Sequence, residues 1–288
     1  MLVGVFAGLC LIWGTTWAAV QIGLSGIPPF AGVSLRFGIA ALILLVLALF
    51  RGVRLGARRH ERWLWLANGL LSFCVSYGVV YWCEQWVPSG LAAILFATYP
   101  LFVAVLGHFV LPNEGLARRE LSGILVGFAG VALIFSEDLT ALGGPQVALA
   151  SVVMLASPIA SALSSVAIKR WGQGIHPLSI SAMPMAIGAG VMAGISLALE
   201  RGRPFVADAT SIGALLYLAI FGSAVTFTGF YWLLERLPAK RLALIAYFTP
   251  VIAVLVGNLR GEPFTLRILS GAALVVGGVA LAVQRPGR

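Results

Sequence analysis

The sequence contains few charged residues for its length. Of its 288 residues, 19 are Lys or Arg and 10 are Asp or Glu, so that charged residues make up only 10% of the chain. Soluble domains carry roughly 25% charged residues because their surfaces face water. Hydrophobic residues account for 60% of the chain, and the mean hydropathy is +1.00. This composition excludes a sizeable soluble domain and predicts that most of the surface faces lipid.

The apolar runs also lack acidic residues at their centres. Proton-coupled export of cationic drugs usually needs a carboxylate within the membrane. We therefore expect neutral or zwitterionic substrates, and facilitated export down a gradient rather than tight proton coupling.

Other chemical signatures are missing as well. The three cysteines, Cys10, Cys74 and Cys83, lie in apolar runs and are odd in number, so we predict no disulfide framework. The three histidines show no ligand spacing, and we expect neither a metal site nor a cofactor. No carboxylate pair, His cluster or Ser–base pair indicates a catalytic site, so we expect no enzyme. Rings of polar residues, which are typical of a channel, are missing too.

Gly, Pro and Arg divide the apolar sequence into ten candidate spans. A membrane helix needs roughly 20 apolar residues. The spans lie at 2–24, 30–50, 63–83, 89–110, 120–136, 146–168, 178–199, 211–234, 241–259 and 265–284. The sequence therefore predicts an all-α, polytopic membrane protein with ten transmembrane helices.

The distribution of Lys and Arg predicts the orientation of these spans. With a cytoplasmic N-terminus, the cytoplasmic segments carry 14 basic residues and the outside segments carry 4. Because Lys and Arg are retained on the cytoplasmic side, both termini should be cytoplasmic in a multi-pass protein of the cell (inner) membrane. The net charge of +9 then requires no nucleic acid. The expected partners are a small-molecule substrate and the lipid bilayer, with the chain functional as a monomer.

The two halves of the sequence share a repeat. Five features of the first half recur 150 residues later: Tyr81–Trp82, Pro88, Ala93, Pro100 and Gly107. Nine residues between Glu114 and Leu133 recur after 148 residues. We therefore divide the chain into a first five-helix repeat, 1–140, and a second, 141–288. Because five is odd, the second repeat is inverted, as in secondary transporters that work by alternating access, although a static duplicated scaffold would show the same pattern.

The chain resembles the drug/metabolite transporter superfamily, and specifically its EamA-type ten-helix exporters. Four features carry the resemblance: Trp13–Gly14 followed by Gln21, the run Pro28–Phe37, the repeated Tyr/Trp, Pro, Ala and Pro pattern, and Glu114 and Glu262 before the closing spans. The resemblance implies export of small metabolites, often amino acids, and favours aromatic or hydrophobic ones. Gln21 departs from the family's usual Lys, which Lys169 keeps in the second half. The alternatives are proton-coupled export of other metabolites or drugs, a membrane channel and a membrane enzyme.

Aromatic and hydroxyl side chains within the spans are candidates for lining a central substrate cavity. Aromatic faces can stack on an apolar substrate, while hydroxyls supply directional hydrogen bonds. The candidates are Trp13, Thr16, Trp17, Phe73, Tyr77, Tyr81, Phe96, Tyr99, Ser161, Ser165 and Tyr247. Two alternatives stay open, since Tyr81 near a span end can belong to the interfacial aromatic belt, and hydroxyls can simply join helices.

Arg36 and four prolines complete the candidate set. Arg36 is the one charge well inside a span, where charges are expensive. Recognition of a substrate carboxylate and a structural role, by snorkelling or by bonding backbone carbonyls, both fit it. Proline removes an i→i−4 hydrogen bond and kinks a helix. We expect kinks or gating points beside the cavity, although packing kinks would look the same, at Pro100, Pro158, Pro184 and Pro250.

Small residues four apart predict close approach of helices. They occur at Gly4/Gly8, Gly123/Gly127 and Gly190/Gly194. With ten spans to pack, we expect these pairs to serve packing within the bundle.

Overall fold

Helices fill the described part of the chain, which comprises residues 2–53, 55–56, 59–111, 118–136, 144–236 and 245–283 of a computed structural model and contains no strand. The first half consists of α1 (Leu2–Leu24), α2 (Pro29–Phe50), α3 (Arg59–Asn68), α4 (Tyr77–Cys83), α5 (Ser89–Phe96), α6 (Tyr99–Val110) and α7 (Arg118–Phe135). The second half consists of α8 (Pro145–Met154), α9 (Ala156–Trp171), α10 (Pro177–Leu199), α11 (Ala209–Ala219), α12 (Thr226–Arg236), α13 (Ile245–Leu259) and α14 (Leu266–Val283). Two π-helical segments, Gly69–Ser76 and Ile220–Val225, join α3 to α4 and α11 to α12.

Over the residues that the structure describes, each of the ten predicted spans coincides with helix. Within the described residues, seven helical stretches are long and apolar enough to cross a membrane, and Phe248–Leu259 and Leu266–Leu281 are shorter apolar helices. The outer surface carries large exposed apolar side chains: on α2, Leu42 is 63% exposed, Leu49 77% and Phe50 86%. Such a surface suits lipid rather than water. The prediction of an all-α polytopic membrane protein is confirmed.

Equivalent helices of the two halves pack against each other, α2 against α10 and α7 against α14. Glycines form the α7–α14 contact: a Cβ on Gly278 would lie 2.4 Å from the backbone nitrogen of Gly127. A Cβ on Gly130 would lie 2.6 Å from the carbonyl oxygen of Gly271. Small residues allow this approach of two backbones. The pair Gly123/Gly127 therefore packs within the bundle, as predicted.

The other two small-residue pairs do not provide a close contact. In the described part of the chain, a Cβ on Gly4, Gly8, Gly190 or Gly194 would meet nothing within 4 Å. The expectation of close packing is wrong for them, because their faces of α1 and α10 point away from neighbouring helices.

Acidic side chains cap the start of a helix in the opposite half. Glu200, which follows α10, accepts hydrogen bonds from the backbone N–H groups of Phe30 and Ala31, both at 2.9 Å, where α2 begins. Glu262, which precedes α14, accepts from the N–H of Gly90 at 3.0 Å, where α5 begins. A carboxylate satisfies free N–H groups at a helix start and complements the helix dipole. Both caps lie where α1 and α4 end, and we call this end of the bundle the mouth end.

Two of the four prolines follow a break in their span. α5 ends at Phe96, four residues before Pro100, and α8 ends at Met154, four residues before Pro158. Proline has no N–H with which to bond the carbonyl four residues earlier, so the helix ends at that carbonyl. Gating at these breaks stays a prediction.

Pro184 and Pro250 lie inside continuous helices, α10 and α13. The carbonyl that Pro184 leaves unbonded belongs to Ile180, and it accepts a hydrogen bond from Nδ2 of Asn68 at 3.1 Å. Oδ1 of Asn68 accepts in turn from Oγ of Ser164 at 2.8 Å. A buried side chain of the first half thus satisfies a backbone group that proline frees in the second half.

The two π-helical segments occupy equivalent places in the repeat, because residues 220–225 follow residues 70–75 by 150 positions. π turns inside helices are rare and often mark functional sites. The first segment packs against α10, and the second packs against α2. Both π segments therefore face the contact between the halves.

Candidate substrate site between the two halves

Arg36 lies at the centre of this contact, with only 1% of the residue exposed. Its Nε donates a hydrogen bond to Oγ of Ser223 at 2.9 Å, and its Nη2 donates to the carbonyl of Gly222 at 3.0 Å. Both acceptors belong to the second π segment. Arg36 therefore bonds a backbone carbonyl, one of the two structural roles considered for it, and it does not snorkel to the membrane surface.

The remaining contacts of Arg36 are with aromatic rings. Its Cζ lies 4.8 Å from the ring centroid of Tyr77 and 5.2 Å from that of Phe37, within the range of cation–π attraction. Among the residues that the structure describes, no carboxylate forms an ion pair with Arg36; the guanidinium donates the two hydrogen bonds given above and also lies close to the hydroxyl of Tyr81. The guanidinium therefore retains donors for an anionic group.

The rings around Arg36 form what we call the arginine cluster: Arg36, Phe37, Phe73, Tyr77 and Phe227. The ring centroid of Phe37 lies 4.9 Å from that of Phe73 and 4.8 Å from that of Tyr77. Phe227, on α12, lies 5.2 Å from Phe73. The predicted residue Trp13 joins this cluster from α1, with its ring 5.8 Å from that of Phe227.

A second group, which we call the tryptophan cluster, consists of Trp17, Phe96, Tyr99 and Ser165. The ring of Trp17 lies 5.5 Å from that of Phe96, which stacks on Tyr99 at 5.9 Å. The hydroxyl of Tyr99 donates a hydrogen bond to Oγ of Ser165 at 2.7 Å. Four predicted residues, from two spans of the first half and one span of the second, thus meet beside the helix break that precedes Pro100.

The predicted hydroxyls mostly join helices in this structure. Ser161 donates to Oγ of Ser76 at 2.8 Å, and Ser76 is 2.7 Å from Oγ of Ser157. Thr16 donates to the carbonyl of Trp13 at 2.9 Å. The alternative in which these hydroxyls join helices therefore describes Ser161, whose partner Ser76 ends the first π segment.

Tyr81 is buried, at 3% exposure, so it does not belong to an aromatic belt. Its ring packs on Gly32, where a Cβ would lie 2.9 Å from Cε1 of Tyr81. Its hydroxyl lies close to the guanidinium of Arg36 but makes no hydrogen bond of good geometry within the described residues. Beside it lies a cavity of about 10 Å³, the size of a single water molecule.

The side chain of Tyr247 lies outside the described residues, and its predicted role stays a prediction. The structure adds Phe37, Phe227, Ser223 and Ser76 to the site. No spacing in the sequence indicates them, because each contributes through a contact with the opposite half or with a π segment.

Comparison with known proteins decides the family. The model of the EamA-like transporter family matches residues 2–136 and again residues 148–284. The chain belongs to the EamA-like transporter family. It is therefore a membrane transporter, with one family match in each half of the chain.

Individual relatives agree with this assignment. The chain is 32% identical over 271 residues to the "Uncharacterized inner membrane transporter YedA" of Escherichia coli (strain K12), covering 91% of this chain and 83% of the relative. It is 27% identical over 271 residues to the "Uncharacterized transporter YoaV" of Bacillus subtilis (strain 168), covering 93% of this chain and 92% of the relative. A protein of known crystal structure has the same fold, with a TM-score of 0.70 at 21% identity, covering 96% of this chain and 94% of the other.

Proposed function

We propose that this EamA-like transporter exports small neutral or zwitterionic metabolites, and most of all amino acids with aromatic or hydrophobic side chains. The observation that carries the proposal is Arg36, a buried cation that lies against aromatic rings and has no ion pair with a carboxylate among the described residues. An amino acid offers the two matching parts. Its carboxylate can accept charge-assisted hydrogen bonds from a guanidinium, and its apolar side chain can pack on the rings.

The polar groups around the clusters favour a zwitterion over a cationic drug. A substrate ammonium would find neutral oxygen acceptors, on Ser76, Tyr99 and Ser165, within the described core. No acidic residue is part of the arginine cluster or of the tryptophan cluster. A cation without a carboxylate would therefore approach Arg36 with no compensating charge, which is costly in a buried site.

Alternating access between the two inverted repeats is the proposed mechanism. The pairing of α2 with α10 and of α7 with α14 supports it, because equivalent helices can exchange their packing between the two facing states. We place the protein in the cell's inner membrane as a monomer with both termini cytoplasmic. The Lys and Arg distribution supports this placement, as does the description of the Escherichia coli relative as an inner membrane transporter.

Counterflow in proteoliposomes tests the proposal. Vesicles are loaded with unlabelled Phe, Trp, Met or Thr, and entry of the labelled amino acid is followed with and without a pH gradient. We expect saturable counterflow, with competition by phenylalanine but not by phenethylamine, which lacks the carboxylate. Arg36→Lys should weaken binding of the amino acid roughly 10- to 100-fold, since a hydrogen bond to a charged group contributes about 1.5–3 kcal/mol.

Arg201→Lys is the matched control, because Arg201 is exposed and its one hydrogen bond among the described residues goes to the carbonyl of Leu197, near the end of the preceding helix. Trp17→Ala and Tyr99→Phe test the tryptophan cluster in the same assay. Absence of counterflow for every amino acid, from protein shown to be folded, would refute the amino-acid assignment. Equal inhibition by phenylalanine and phenethylamine would refute the role of Arg36.

A further inference from the structure

A second polar region lies at the mouth end, apart from the two clusters. A pocket of about 550 Å³, which we call the mouth pocket, is lined by residues that include Gln21, Glu84, Trp86 and Arg260. Nη1 of Arg260 lies 3.3 Å from Oε1 of Gln21 and 3.8 Å from Oε1 of Glu262. The contact between Arg260 and Gln21 joins the second half of the chain to the first at this pocket.

Glu84 is the acid of the mouth pocket that lacks a partner. It follows the last residue of α4 and is 3% exposed, and neither of its carboxyl oxygens has a hydrogen-bond partner among the described residues. The neighbouring acid differs, since Glu262 accepts hydrogen bonds from the hydroxyl of Ser89 and from the N–H of Gly90. Within the described residues, the carboxylate of Glu262 thus has hydrogen-bond donors and that of Glu84 has none.

The groups that face Glu84 are of both signs. Burial raises the pKa of Glu84 well above its usual value, and the nearby carboxylate of Glu262 raises it further. Arg36 on α2 and Arg260 oppose this shift. The other titratable groups on this side are Tyr77, Tyr81 and Cys83 on the same helix and Arg203, which bonds Gln85. A buried carboxylate without a hydrogen bond is unfavourable, so loss of the proton favours any state in which water reaches Glu84.

Glu84 is also in line with the substrate site. Tyr77, Tyr81 and Glu84 are spaced four and three residues apart, which places them on one face of α4. Arg36 lies over the ring of Tyr77 at the inner end of this line. A change of charge at Glu84 therefore acts on the guanidinium that we assign to substrate.

We propose that Glu84 is a proton-binding site that controls access of water from the mouth pocket to the interior of the bundle. With its proton bound, the carboxyl stays buried and this access, which we call the mouth, is closed. When the proton leaves, the carboxylate takes up water and the mouth opens. The closed form has the higher pKa, so raising the pH through that pKa shifts the population towards the open form.

Labelling of a buried cysteine tests this proposal without any substrate. Gly23 is buried and lines the same small cavity as Tyr81, and a Cβ there would meet only the Cβ of Ala214, at 4.0 Å. In a background in which Cys10, Cys74 and Cys83 are replaced, Gly23→Cys therefore reports opening to a polar maleimide in nanodiscs. Ser25→Cys, on the exposed rim, corrects for the intrinsic effect of pH on the thiol.

We expect the labelling rate of Gly23→Cys, relative to Ser25→Cys, to rise about tenfold between about pH 5 and about pH 9, a range that includes raised carboxyl pKa values. In Glu84→Gln the ratio should stay low and independent of pH, since the amide cannot ionise. Glu200→Gln is the matched control, because Glu200 is a buried acid at the same end with two N–H partners, and it should keep the rise.

Two results would overturn the proposal: a flat ratio when Glu84 is intact, or a rise that persists in Glu84→Gln. If Glu84→Gln does not fold, Glu84→Asp decides the matter, because a shorter acid must move the midpoint of the pH profile, and an unchanged midpoint contradicts a role for this carboxyl. Counterflow is measured separately, so failure of the amino-acid proposal leaves the labelling result interpretable.

Discussion

Replacing Asn68 with leucine tests how the bundle tolerates a proline inside α10. Asn68 is 2% exposed, and its side chain bonds both the carbonyl of Ile180, freed by Pro184, and the hydroxyl of Ser164. Hydrogen bonds between membrane helices contribute about 0.6 kcal/mol on average and up to about 1.7 kcal/mol. A buried carbonyl left without a donor costs about 1–3 kcal/mol. We therefore expect Asn68→Leu to lower the free energy of unfolding by about 2–4 kcal/mol.

A double-mutant cycle isolates the part of this loss that depends on the proline. Pro184→Ala restores an N–H that can bond the carbonyl of Ile180 within α10. Asn68→Leu should then cost less, with a coupling energy of about 1–2 kcal/mol between positions 68 and 184. Unfolding in mixed micelles, followed by circular dichroism as the fraction of SDS rises, measures all four proteins. Ser164→Ala is the control: it removes only the bond to Oδ1 and should combine with Pro184→Ala additively, within about 0.5 kcal/mol. Additive effects of Asn68→Leu and Pro184→Ala would refute the reasoning.

Two further predictions concern packing and capping. Gly278→Ala should strongly reduce the yield of folded protein in size-exclusion chromatography, because the added Cβ would lie 2.4 Å from the nitrogen of Gly127, whereas Gly277→Ala adds a Cβ with nothing within 4 Å; equal yields would contradict the tight α7–α14 contact. Hydrogen bonds from the backbone N–H and the hydroxyl of Ser211, and then from the N–H of Thr210, lower the pKa of Asp208 at the start of α11. Asp208→Ala should therefore lower the melting temperature at neutral pH, and the difference should shrink as the pH falls through the pKa of this carboxyl; a difference that does not change with pH would contradict the assignment.

The ten spans were predictable because the thickness of the membrane imposes a length on each helix, whatever its packing. The sequence repeat likewise indicated which helices are equivalent. It matched Gly130 with Gly278, and both lie in the glycine contact between α7 and α14. Span length and the repeat depend only on local composition and on the spacing of residues, and both can be taken directly from the sequence.

The burial of Glu84 was not predictable in the same way. Glu84 lies at the end of a span, yet the residue is 3% exposed, and Arg260 and Glu262 of the second half lie near it. The absence of acids at the centre of the spans predicts export without tight proton coupling, whereas Glu84 lies at a span end, and its burial depends on contacts that the spacing of residues does not indicate. Asn68 was missed for a related reason, since its role depends on a carbonyl that a proline frees in the other half.

The repeat also explains why the substrate site should lie on one side of the pseudo-symmetry axis. The offset of 148 that matches Pro29 with Pro177 also matches Arg36 with Pro184. Arg36 lies where α2 packs against the second π segment, and Pro184 lies where α10 packs against the first. At both places backbone carbonyls need a hydrogen-bond donor. At one crossing Arg36 supplies the donor to Gly222, and at the other Asn68, at the edge of the first π segment, supplies it to Ile180. The same requirement is thus met by a charged side chain at one crossing and by a neutral one at the other. Only the charged crossing can attract a carboxylate, so we expect substitutions of Arg36 to change substrate affinity and substitutions of Asn68 to change mainly stability.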